Sequence, residues 1–317
     1  MKRILTLCFS LFVVLAGASS VQAGLLVYEG FDGYTPGAGL EGSTPNENTV
    51  GLDTTRAYVD DSENPRYTDT VLADGLTFGS LRTSGGALGF SNTGGTGIEP
   101  SVGTNVIGAY LSSDASGYTG DLWNSYLVNL AIQGDLPGDG MGIRIGSSPA
   151  TSNSGFNSWA DSRNSSENVG VGYNFGHTRG ETGAAGLELD TTYIIISCFT
   201  NAGVALSGSV NGTATLWALT EAQFADFLAT GGDETALANA LVTATTSQTV
   251  NSGTQTFAGA FGFVSVNDAG TIDELRWGSS LESVIPVVPV PEPATVALVL
   301  GMGAGLLGMA CRLRHQA

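Results

Sequence analysis

The chain has 317 residues, 46 of them glycine and 10 proline, with 13% charged and 42% apolar side chains and a net charge of −18. This composition excludes a coiled coil and a charged disordered tail, and it supplies enough apolar residues to bury one substantial core. Lys2 is the only lysine. Between residues 24 and 290, seven arginines face 28 acids (all 29 but Glu292), a balance of −21 that disfavours nucleic acid as a partner and removes Schiff-base and Walker-type lysine chemistry.

Residues 1–23 start with Lys2 and Arg3, run through apolar Ile4–Ala18 and close on Val21-Gln22-Ala23. A cationic start, a short apolar middle and small residues at the cut predict a secretory signal removed after Ala23.

Strand patterns dominate residues 24–284. Leu25–Phe31 opens the body, and Leu122, Tyr126, Val128, Leu130 and Ile132 line one face of a longer strand. Met141, Ile143 and Ile145 alternate with Gly142, Arg144 and Gly146. Val169, Val171, Tyr173 and Phe175 alternate with Gly170, Gly172, Asn174 and Gly176. Tyr193–Phe199 is apolar at nearly every position, as a central strand covered on both faces would be. Ala214–Leu219 leads into a helical interruption. Thr220 with Gln223 forms a capping box, Phe224, Phe227 and Leu228 share a helical face, and Gly231 ends it. Asp233 caps a second short helix reaching Leu241. Phe257–Val266 and Ile272–Trp277 close the body, and clusters of Gly, Asn, Asp and Ser supply the turns of an antiparallel all-β domain over residues 24–284. No βαβ rhythm is present, and the helices are expected over an edge or end of the sheets.

Several of these segments resemble concanavalin A-like (laminin-G-like) jelly rolls. They are Tyr28-Glu29-Gly30-Phe31-Asp32 with Gly37 and Gly42, Thr192-Tyr193-Ile194-Ile195-Ile196, Thr215-Leu216-Trp217, and the closing Ile272-Asp273-Glu274-Leu275-Arg276-Trp277-Gly278. The resemblance covers about residues 25–284. It implies two curved antiparallel sheets, with first and last strands paired and a helical insertion at 220–241. Such a fold can hold a sugar, and some relatives are glycosidases.

The residues offer little for catalysis. A retaining glycosidase needs two carboxylates about 5–5.5 Å apart. Glu188-Leu189-Asp190 has the first half of such a strand motif, but position 192 is Thr and the segment reads as a turn. Asp273 and Glu274 are neighbours and so expected on opposite faces, while Glu274 and Arg276 share a face and pair structurally. His177, the body's only histidine, sits in a loop without partners, so zinc sites of several histidines are ruled out. Calcium is the one metal the acidic loops suit. Asp135 and Asp139 are the candidate ligands, with Asp60-Asp61-Ser62-Glu63-Asn64 as a second loop, although neither has the twelve-residue EF-hand spacing. Cys198 reads as a buried inert thiol. Trp123, Trp217 and Trp277 read as core, and Trp159, in a Ser/Asn-rich loop, as the exposed one.

The chain closes on a Pro-rich linker at 285–290, then Pro291-Glu292-Pro293, the uncharged apolar run Ala294–Ala310, and Cys311-Arg312-Leu313-Arg314-His315. A run of this length predicts a single transmembrane helix over 294–310, with Arg312 and Arg314 on the cytoplasmic side. The order Pro-Glu-Pro, apolar helix and arginine cluster resembles the PEP-CTERM sorting signal of bacterial exosortase systems, here residues 291–317. That resemblance implies handling by an exosortase-type membrane enzyme and delivery to the cell surface or an extracellular matrix. With the fold resemblance, it makes a non-catalytic protein that binds glycan or exopolysaccharide the leading expectation. A carbohydrate-active enzyme is the rival.

Overall fold

The computed structural model describes residues 24–60, 67–79, 81, 83, 85–92, 104–115, 118–132, 140–146, 155–160, 169–173, 187–202, 209–251, 260–266 and 269–285. The chain falls into two compact units, residues 1–286 and 287–317. The second unit, the expected leader ending at Ala23, and the calcium candidates Asp135 and Asp139 lie outside the described residues, as does His177. Among the described residues no helix is long and apolar enough to cross a membrane.

The described body is all-β and antiparallel. One sheet contains β1 (Leu25–Glu29), β3 (Tyr67–Leu72), β4 (Ala87–Asn92), β6 (Gly120–Ile132), β10 (Thr192–Ala202), β11 (Ser209–Leu219), β12 (Val242–Asn251) and β14 (Ala269–Gly278). Its order is β12-β11-β10-β6-β14-β4-β3, with β1 also on β14. The second contains β2 (Val59–Asp60), β5 (Thr104–Tyr110), β7 (Gly140–Gly146), β8 (Gly155–Ala160), β9 (Val169–Tyr173) and β13 (Ala260–Val266), in the order β2-β5-β13-β7-β8-β9.

Alternation decides which side chains meet between the sheets. Leu122, Tyr126, Val128 and Leu130 of β6 pack there with Tyr193, Ile195 and Phe199 of β10, and with Met141, Ile143 and Ile145 of β7. All seven residues from Tyr193 to Phe199 are buried, because β10 runs between β6 and β11 and is covered on both faces. On its far face Trp123 and Trp217 stack with ring centroids 6.0 Å apart and planes 8° apart, so these two tryptophans are buried outside the inter-sheet core.

The insertion forms as its capping residues dictate. The Thr220 side chain accepts from the Gln223 backbone, the Gln223 side chain reaches back, and the helix Glu221–Ala229 buries Phe224 and Phe227 while Leu228 stays half-buried. Phe224 meets Phe78 at 5.5 Å. Gly231 and Gly232, at φ +108° and +68°, turn the chain into a 3₁₀ segment, Glu234–Asn239, capped by Asp233.

Strand β14 locks the domain. Its Gly270–Ile272 stretch pairs with β4, and its Leu275–Gly278 stretch pairs with β1, so the first and last strands are neighbours. Its partner changes across Asp273-Glu274, where the register to β6 slips and Glu274 adopts φ +52°. This bulge breaks the strict alternation expected for the two acids.

Candidate functional site

Three buried acids, Glu29, Asp273 and Glu274, gather along the β1–β14 seam. Glu29, at the end of β1, is 1% exposed. Its carboxylate accepts the Phe31 N–H at 2.7 Å, the Tyr34 hydroxyl at 3.0 Å and the Tyr58 hydroxyl, while the two tyrosine oxygens stand 3.2 Å apart. Phe31 takes φ +57° and sends its ring 5.0 Å from Phe263 of the facing sheet. Burial pushes the Glu29 carboxyl up to about 7, against the opposing pull of its Tyr58, Phe31 and Tyr34 hydrogen bonds.

On β14, the Asp273 carboxylate accepts the Leu76 N–H and the Glu274 N–H, each at 2.7 Å. Burial, reinforced by the adjacent Glu274, raises its carboxyl to about 9. Glu274 pairs with Arg276 as the sequence predicted, and the Tyr28 hydroxyl also donates to it at 3.2 Å. The Arg276 guanidinium lies 4.3 Å from the Tyr28 ring centroid. All three carboxylates are thus occupied by donors of the protein itself. Their arrangement fastens loops and strand ends together.

The other sequence candidates separate. Glu188, Leu189 and Asp190 are exposed in a turn, with Asp190 at φ +56° and Tyr193 Oη accepting the Glu188 N–H at 3.0 Å. No strand aligns the two acids. Among the described residues no three His, Cys, Asp or Glu side chains cluster as metal ligands. Cys198 is buried, and its thiol is pushed up to about 12 by burial and by Asp121 and Glu234, which leaves it protonated and inert.

Sequence reasoning passed over a second feature. Register across the six-stranded sheet aligns Gly108, Gly262, Arg144, Asn157 and Gly172, and two residues along the strands it aligns Gly142, Trp159 and Gly170. Trp159 therefore stands on β8 and not in a loop. Met141, Ile143 and Ile145 point into the core, so Arg144 lies on the opposite face, yet it is only 4% exposed. A Cβ at Gly262 would come 3.1 Å from Arg144 Nε, so the missing side chain is what lets the arginine lie close over the backbone. The alternating glycines were visible in the sequence. Their alignment across strands was not.

Three comparisons with known proteins bear on this arrangement. The PEP-CTERM protein-sorting motif matches residues 289–314. No curated protein matches the chain. Among solved structures, the chain is similar to the metal-free exoplasmic/lumenal domain of VIP36, at 10% identity over 76% of this chain and 91% of that one (TM-score 0.36). It is also similar to winged bean acidic lectin complexed with methyl-α-D-galactose, at 11% identity over 69% and 96% (TM-score 0.35). A third is domain 4 of AbnA, a GH43 extracellular arabinanase from Geobacillus stearothermophilus, in complex with arabinotriose, at 11% identity over 69% and 86% (TM-score 0.33).

Proposed function

We propose that this is an exported β-sandwich protein, cleaved after Ala23, handled at its C-terminus by an exosortase-type membrane enzyme, and displayed on or released from the cell surface to hold glycan without catalysing its turnover. The sorting motif at 289–314, which begins four residues after the buried Ile285, carries this reading. In it, Pro291, Glu292 and Pro293 are what the enzyme reads. The run 294–310 spans the membrane, and Arg312 and Arg314 hold the end on the cytoplasmic side. The sandwich is read as a concanavalin A-like jelly roll. An acidic body repels acidic polymers, so a neutral exopolysaccharide is the ligand class its charge favours.

The test expresses the full chain in an exosortase-bearing host and in a sibling lacking that enzyme, beside a variant with Pro291, Glu292 and Pro293 all changed to Ala. Mass spectrometry of surface and matrix fractions is expected to find the chain shortened at both ends only with enzyme and motif intact. A cytosolic product retaining its leader overturns the reading. Glycan arrays with the processed protein test the ligand class. Release of reducing sugar that Glu188→Gln abolishes would make it an enzyme instead.

A further inference from the structure

We infer that the sandwich holds an internal hydration site between its two sheets, one or a few water molecules bound by Asn124, Tyr126 and Trp277 beside the Ser158–Ser197 pair. The inward positions of β6 are Leu122, Asn124, Tyr126, Val128 and Leu130, and the amide of Asn124 interrupts an otherwise apolar or aromatic row. Asn124 is 0% exposed and lies opposite Ser197 of β10 on one side and Trp277 of β14 on the other. Ser197 meets Ser158 of β8 at 2.8 Å, a hydrogen bond that crosses from one sheet to the other. Tyr126 also comes close to Ser158, though its hydroxyl does not meet a partner at hydrogen-bond geometry.

Among the described residues, four buried polar atoms on these neighbouring side chains have no hydrogen-bond partner: Asn124 Nδ2 and Oδ1, Tyr126 Oη and Trp277 Nε1. Leaving even one such atom unpaired costs about what a hydrogen bond contributes or more, and four together would consume much of a domain's narrow margin of stability. The set is balanced for water. Asn124 Nδ2 and Trp277 Nε1 donate, Asn124 Oδ1 accepts and the tyrosine hydroxyl does either, while a water molecule accepts twice and donates twice. The described polar side chains there are all uncharged, so they offer a charged ligand no counter-ion. Phe199 stacks on Trp277 with centroids 6.0 Å apart, so an aromatic wall bounds the site. The bound water would tie β6 and β14 to each other and, through the serine pair, to β8.

Oxygen-17 relaxation dispersion on the purified full chain tests this, because it counts waters held longer than the protein tumbles. The Asn124→Leu/Tyr126→Phe double variant is expected to lose at least one long-lived water, and an unchanged count overturns the inference. If that variant does not fold, the unaltered chain still decides at high crystallographic resolution. Ordered water within hydrogen-bond distance of Asn124 Nδ2 and Trp277 Nε1 supports the site. Protein atoms on those nitrogens, or no density between them, overturn it.

Discussion

The Tyr28 hydroxyl donates to the Glu274 carboxylate at 3.2 Å, joining residues 246 positions apart. Tyr28 lies opposite Arg276 in the β1–β14 ladder, and Arg276 pairs with the same carboxylate. The seam between the body's two ends is therefore sealed by a buried ion pair, an aromatic ring and a ladder at once. Glu274 can reach both partners because the bulge at Asp273-Glu274 frees it from regular pairing.

Removing one member of that pair strands the other charge in the interior. Arg276→Met is expected to destabilise the body by about 3 kcal/mol, the lower range for a broken buried pair. The double variant Arg276→Met/Glu274→Leu should recover a large part of that loss. Urea unfolding of the three proteins checks both statements. A double variant no better than the single one would mean that the pair is not what stabilises the seam.

Acid should strengthen this fold over part of the pH range. The Glu29 carboxyl is raised from 4.5 to about 7, so between those values the folded protein keeps a proton that the unfolded chain has lost. Its contribution is complete below about pH 4.5 and is lost as pH rises through 7. Asp273, raised from 3.8 to about 9, extends the decline to higher pH. The thermal midpoint is expected to fall between about pH 5 and 8, by up to roughly 1.4 kcal/mol of stability per pH unit for each proton released. Glu29→Gln, whose amide oxygen can still accept from the tyrosines, should flatten the curve below pH 7.

Glycine substitutions should rank by what their new methyl meets. A Cβ at Gly86 would fall 2.2 Å from the Phe31 carbonyl oxygen, which is backbone and cannot swing aside. At Gly262 it would meet the Arg144 side chain at 3.1 Å, which can yield. Gly86→Ala is expected to cost several kcal/mol and Gly262→Ala about 1 kcal/mol, on the scale of overpacking. Comparable unfolding midpoints for the two would refute the ranking.

The insertion offers a milder perturbation. Thr220→Ala removes the cap of helix Glu221–Ala229 and should cost about 1 kcal/mol. Amide hydrogen exchange should quicken in the first turn of that helix and stay unchanged in β10. Phe224→Ala, which empties a fully buried site against Phe78, should cost about 3–5 kcal/mol.

Much of the architecture was legible because its signals are local. β6, β7 and β10 carry strong apolar alternation or continuous apolar runs, and the Thr220–Gln223 cap is written within four residues. β12 escaped notice because its inward residues include the modest Val242 and Ala244, while Thr243 and Thr245 fill the other face. β8, with the sequence Gly-Phe-Asn-Ser-Trp-Ala, reads as a loop until β7 and β9 flank it. The sorting tail was readable in the same local way, from residue classes in a fixed order. The seam was not. Tyr34 and Tyr58 lie 5 and 29 positions from Glu29, and only the fold brings them onto one carboxylate. The same holds for Asn124, a polar residue at a core position that alternation alone would assign to an apolar side chain.

Ser279 donates its N–H to the Gly24 carbonyl at 2.8 Å, so the body begins and finishes at one corner. Just beyond, helix Leu281–Val284 buries Leu281 and Val284, and the Ser125 hydroxyl holds the Val284 carbonyl. A force applied through residue 286 would therefore arrive at β14, a strand gripped on one flank by β6 and on the other by β4 and then β1. Drawing it out means shearing ladders on both sides together, whereas an edge strand could be peeled from one side alone. A body tethered by this end would hang from a strand clamped on both flanks.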